Sequence, residues 1–151
     1  MTVDEAMQRL EADLGAGDVR VRREAVDFAA KLLKERACRE ECRQRIISLL
    51  ENAAAKDLPT VQDRARTVLD NLRDGGDPTW TADDRKHMVR VPCKQCGHMN
   101  YYDRRQVCSD TRPFYRTLVR AANGEELSEI TEVCAACGNQ EIKFRVNCRG
   151  Y

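Results

Sequence analysis

Long apolar runs are missing from this 151-residue chain, and nothing approaches the roughly 20 consecutive residues a membrane-spanning helix requires. The N-terminus also lacks the basic-then-apolar order of an export signal, since Asp4 and Glu5 come early. From these two absences the expectation is a protein without a membrane anchor, working in the cytoplasm. Histidine is scarce, with two residues in all, and no Ser/His/Asp pattern, phosphate-cradling glycine loop or His-Glu metal helix is present. The expectation is therefore a protein that is not an enzyme. Nor is there a strong excess of one charge. Lys and Arg number 26 against 25 Asp and Glu. Residues 1–76 carry a net −1, residues 77–91 are neutral, and residues 92–151 carry +2. A dedicated nucleic-acid binder usually shows a clearer basic excess, because phosphate neutralisation supplies most non-specific affinity.

What the chain does have is cysteine, eight in total. Four of them form two identical Cys-x-x-Cys-Gly units, Cys93/Cys96/Gly97 and Cys134/Cys137/Gly138. Two intervening residues let both sulfurs of a tight turn face one ion, and the glycine allows the backbone to leave through positive φ. Together the units predict a four-cysteine site for Zn2+. Four protein ligands leave no coordination position for an activated water, so the ion is expected to be structural. Knuckle spacing without an export signal favours reduced thiols over a disulfide framework. Cys108 and Cys148 lie outside the units and are expected in or near strands as small buried hydrophobes. Cys38 and Cys42, four residues apart, are expected to be core or surface thiols. His98 follows the first knuckle and competes poorly with four cysteines as a ligand, and His87 is expected at a solvated helix end.

Residues 1–73 show helical periodicity, with Pro59 at a helix start. An internal offset of 40 residues superposes Leu10 on Leu50, Glu11 on Glu51, Val21 on Val61, Ala25 on Ala65 and Leu32 on Leu72. That period suits a helix-pair repeat. Each pair has an apolar face it cannot bury alone, and stacking two pairs gives a four-helix layer; a plain four-helix bundle is the alternative. Asp74-Gly75-Gly76-Asp77-Pro78 then stops the last helix. Thr81 and Asp84 mark a short helix ending near His87, and Trp80 before it is expected to anchor the joint. The reading divides the chain into a helical region 1–73, a linker with a short helix 74–88, and a β region 89–151.

Within the β region, strands are expected at Val89 to Val91, Asn100 to Tyr102, Phe114 to Ala121, Leu127 to Val133 and Ile142 to Val146, with Asn123-Gly124 as a hairpin turn. A helix over 112–122 is the alternative for the third. Arg104, Arg105, Arg116, Arg120, Lys143 and Arg145, with Arg112 and Arg149 nearby and Tyr101, Tyr102 and Tyr115 among them, are the candidate phosphate contacts for a nucleic acid. Glu125, Glu126, Glu129 and Glu132 would partly neutralise them.

Two families enter as resemblances. Asp18, Val21, Arg22, Ala25, Ala29 and Leu32, following the Leu10 and Leu14 helix, resemble a HEAT repeat, in which an Asp-x-x-Val-Arg turn opens the second helix. The second copy keeps Val61 and Ala65 but has Leu58 and Gln62 in place of the Asp and Arg. Residues 89–148 resemble the zinc ribbon, a four-cysteine module of transcription, translation and DNA-handling proteins. The resemblance implies Cys93, Cys96, Cys134 and Cys137 as ligands, although 37 residues separate the knuckles where a compact ribbon has fewer. The resulting expectation is an α+β protein, a four-helix HEAT-like layer followed by a small antiparallel zinc-ribbon domain. Its implied role is non-catalytic accessory or regulatory binding of nucleic acid. The rival role is a protein-interaction adaptor or assembly subunit that uses the helical face or self-associates.

Overall fold

The structure, a computed structural model, describes residues 1–109 and 116–151. It is α+β, with helices in the N-terminal half and two small antiparallel sheets in the C-terminal half. No helix among the described residues is long and apolar enough to cross a membrane. The chain forms two compact units, Met1–Asp83 and Asp84–Tyr151.

Four helices build the first unit: α1 (Val3–Leu14), α2 (Val19–Leu32), α3 (Glu40–Lys56) and α4 (Pro59–Arg73). Their starts follow local chemistry. Thr2 and Glu5 close a capping box on α1, Asp18 accepts the Arg20 N–H at 2.8 Å to open α2, and Pro59 occupies the first turn of α4, where no N–H is needed. Leu10, Val26, Ile46, Leu50, Val61 and Val68 are fully buried in one core. The 40-residue offset has a physical counterpart there, because Leu10 and Leu50, and likewise Ala25 and Ala65, are buried together. Arg22 of the first helix pair donates to Asp57 before α4 at 3.1 Å and to the carbonyls of Ala16 and Gly17. One guanidinium thus satisfies acceptors at two interhelical turns.

The turn after α4 belongs to this unit. Buried Asn71 donates to the carbonyls of Pro78 and Trp80, and Arg64 also donates to the Trp80 carbonyl. The Trp80 ring lies so close over Gly76 that a Cβ there would stand 2.2 Å from it. The short helix α5 (Ala82–Lys86) follows.

In the second unit β1 (Met88–Pro92) pairs antiparallel with β2 (Met99–Asp103), while β3 (Arg116–Arg120), β4 (Glu126–Glu132) and β5 (Ile142–Val146) form a sheet in that order. Within 112–122 the described residues form strand over Arg116–Arg120 and then turn, and Arg112, Phe114 and Tyr115 lie outside the described residues. At Asn123-Gly124 the chain reverses, with Gly124 N–H donating to Ala121 C=O at 2.9 Å.

Between the two sheets runs a helix that the periodicity did not predict, α6 (Arg104–Ser109). Asp103 ends β2 and accepts the Arg105 N–H at 2.9 Å, which opens the turn, so Cys108 sits on a helix packed near the strands rather than in one. Val107 and Cys108 pack with Ile130 and Val146 on the inner face of the three-stranded sheet. There Cys108 is joined to Cys148 by a disulfide with Cα atoms 5.4 Å apart. This corrects the expectation of two separate hydrophobic thiols. The chain leaving β5 passes beside α6, and a separation of 40 residues hides that approach from any local pattern.

Candidate metal centre

The two knuckles connect β1 to β2 and β4 to β5, and they are built alike. In the first, Cys93 N–H donates to His98 C=O and Gly97 N–H to Cys93 C=O, both at 2.8 Å. In the second, Cys134 N–H donates to Asn139 C=O at 2.8 Å and Gly138 N–H to Cys134 C=O at 3.0 Å. Gly97 at φ 78° and Gly138 at φ 77° take the left-handed conformation that ends each turn, where a Cβ would cost about 1–2 kcal/mol.

The knuckles bring Cys93, Cys96, Cys134 and Cys137 together, with all four sulfurs within 4.8 Å of one another. Cys93 and Cys137 are 3.7 Å apart and Cys96 and Cys134 3.6 Å. A tetrahedron with Zn–S bonds of about 2.3 Å has edges of about 3.8 Å, so these separations suit zinc. The soft donor set points the same way. Neither histidine belongs to the cluster among the described residues. His98 serves through its carbonyl, and His87, expected to be solvated, meets the Tyr151 hydroxyl at 2.8 Å.

Two asparagines that the motif did not identify complete the site. Asn100, at the exit of the first knuckle, is buried and donates its amide to Cys134 Sγ of the second at 3.5 Å. Its oxygen accepts the Ala135 N–H at 3.0 Å. Asn139 reciprocates from the second knuckle, donating to Cys93 Sγ at 3.6 Å. Each deeply buried thiol thus receives an amide from the opposite turn. Such outer partners hold ligands in place and favour thiolate.

The protonation of the quartet follows this wiring. Cys134 is drawn down to about 5 by the Cys137 backbone N–H and then the Asn100 amide, and Cys93 is lowered by the Cys96 backbone N–H and the Asn139 amide. On Cys96 the His98 backbone N–H pulls downward, but lost hydration and the neighbouring thiols outweigh it and push the group up to about 12. Four sulfurs so close cannot all be anionic without a cation among them. A divalent ion held by the four would supply that charge.

The six candidate phosphate contacts do not converge. Arg105 binds Asp103 at 2.8 Å and Asp84 at 3.0 Å. Arg116 donates to the Cys108 carbonyl of α6, and the Nε of Arg104 is buried. Arg145 pairs with Glu129 at 3.3 Å, in keeping with the neutralising role expected of the glutamates. Strand register separates the remainder. Arg116 and Arg120 are paired with Ile130 and Glu126, whereas Lys143 and Arg145 are paired with Thr131 and Glu129, one position out of phase on β4. Directly paired residues share a face, so the two sets lie on opposite faces of the sheet. Arg120 and Lys143 are exposed.

No protein-family model matches this chain, and neither a curated protein nor a solved structure does.

Proposed function

We propose that this chain is a non-catalytic zinc-binding protein in which the ion is scaffold for the second unit and the protein acts as an interaction adaptor or assembly subunit. The observation that carries the zinc reading is the closed quartet of thiols, all within 4.8 Å, with a buried asparagine from one knuckle aimed at a ligand of the other. An ion ligated entirely by four cysteines offers no position to a substrate. A protein partner is preferred to a nucleic acid because Arg105 and Arg145 are held by carboxylates, Arg116 by a carbonyl, and Arg120 and Lys143 lie on opposite faces of the sheet. The second reading is nucleic-acid association through the zinc-ribbon-like unit, and exposed Arg120 and Lys143 are the residues that favour it.

Two measurements test this. Native mass spectrometry should find one zinc per chain, and absence of metal from protein purified without chelator would sink the scaffold role. Binding to a fluorescent mixed-sequence oligonucleotide should be negligible across a salt series. A steep decline of affinity with salt, flattened by replacing Arg120 and Lys143, would instead establish the nucleic-acid reading.

A further inference from the structure

Six of the eight cysteines are accounted for by the quartet and the disulfide. The remaining two are not bystanders. Cys38 lies in the connection between α2 and α3, and Cys42 in the first turn of α3 with its Sγ 2.8 Å from that of Cys38. Cys38 is buried and Cys42 half-buried. The turn that holds them is anchored by Arg43, which donates to the Leu33 carbonyl at 2.7 Å. Beside Cys38 opens a cleft of about 290 Å3, lined by Met1, Val3, Phe28, Leu32 and Ala37. The Cys38 thiol donates to the Cys42 sulfur, and the two sulfurs already stand within reach of a bond between them.

We infer that Cys38 and Cys42 are a dithiol that closes reversibly to an intramolecular disulfide when it meets a hydroperoxide. The reading goes beyond the proposed zinc and adaptor roles and does not depend on them. The order of events follows from exposure. Cys42 is the more accessible sulfur and is oxidised first, its thiol and the hydroperoxide giving a sulfenic acid and an alcohol, or water when the oxidant is hydrogen peroxide. The Cys38 sulfur then attacks the Cys42 sulfur, the S–O bond breaks, and the Cys38 proton leaves with the hydroxyl as water. Overall two thiols lose two electrons and two protons, and the peroxide O–O bond accepts both. Burial, and then the hydrogen bond with Cys42, push Cys38 up to about 12, so it meets its neighbour as a thiol. The bond formed would tie the α2–α3 connection to the first turn of α3.

The sequence supplies a direct readout, because Arg39 lies between the two cysteines and Arg36 and Arg43 flank them. Zinc-loaded full-length protein is treated with graded hydrogen peroxide, capped with an alkylating agent and cut with trypsin without reductant. The expected product is peptide 37–39 covalently joined to peptide 40–43, two hydrogens lighter than the separate pair and released by dithiothreitol. A C42S variant, checked for unchanged helical circular dichroism, should lower the rate of Cys38 modification by at least tenfold. Recovery of the two peptides separately, either alkylated or as sulfinic acids, would overturn the inference, as would joining of either to another cysteine. The wild-type map decides the matter even if the variant does not fold.

Discussion

Asn100 shows how much one side chain can hold together. It reaches the Cys134 sulfur, the Ala135 N–H and the His98 carbonyl, and so ties the second knuckle to the first. Asn100→Ala should leave the four thiols in place yet weaken zinc binding by about 10- to 100-fold, as loss of an outer partner typically does. Competition with a chromophoric chelator would measure it, and wild-type affinity would refute the role. Asp103 carries a second prediction. Arg105 holds its carboxyl below the usual range, so the stabilising charge is fully present above the ordinary carboxylate value and is lost as pH falls through the lowered one. Asp103→Asn should therefore destabilise the second unit at neutral pH and have a shrinking effect in acid, read as unfolding midpoints at about pH 7 and about pH 3. The cysteines of the quartet were legible in sequence because knuckle spacing is local. The asparagines were not, since their partners stand 34 and 46 residues away.

Among the elements, the four long helices and the strands flanking both knuckles announce themselves by periodicity and turn chemistry, and β5 alternates with Ile142 and Val146 buried. The helix α6 did not, because six residues hold too few apolar positions to show a period. Its sign was Asp103 ahead of Arg105, a cap that reads equally as an ordinary turn. Strand register was also beyond the sequence. The sharing of a face by Arg116 and Arg120 follows from alternation, but only the pairing with β4 shows that Lys143 and Arg145 belong to the other. At the turn after α4, Gly76→Ala would drive a methyl into the Trp80 ring. Overpacking of this kind costs about 1–3 kcal/mol, and the loss should appear as a lower urea midpoint for the helical circular dichroism signal. An unchanged midpoint would mean that the ring yields freely.

For the molecule as a whole, the division into two units predicts an unequal response to metal removal. The first unit has its own core of aliphatic side chains, whereas the second has smaller clusters gathered on the disulfide and the quartet. Stripping zinc with a strong chelator should leave helical ellipticity nearly intact while amides of β1, β2, β4 and β5 lose hydrogen-exchange protection. Equal loss in both units would contradict the scaffold role. The Cys108–Cys148 bond joins residues 40 positions apart, a constraint on the unfolded chain worth about 4 kcal/mol, so reduction before chelation should deepen the effect. Trp80 lies in the helical unit and is the only indole of the chain. Its intrinsic fluorescence is a private reporter of that unit, and cobalt substituted for zinc would give the other unit an absorption band of its own, so the melting of each half can be followed by colour in unlabelled protein.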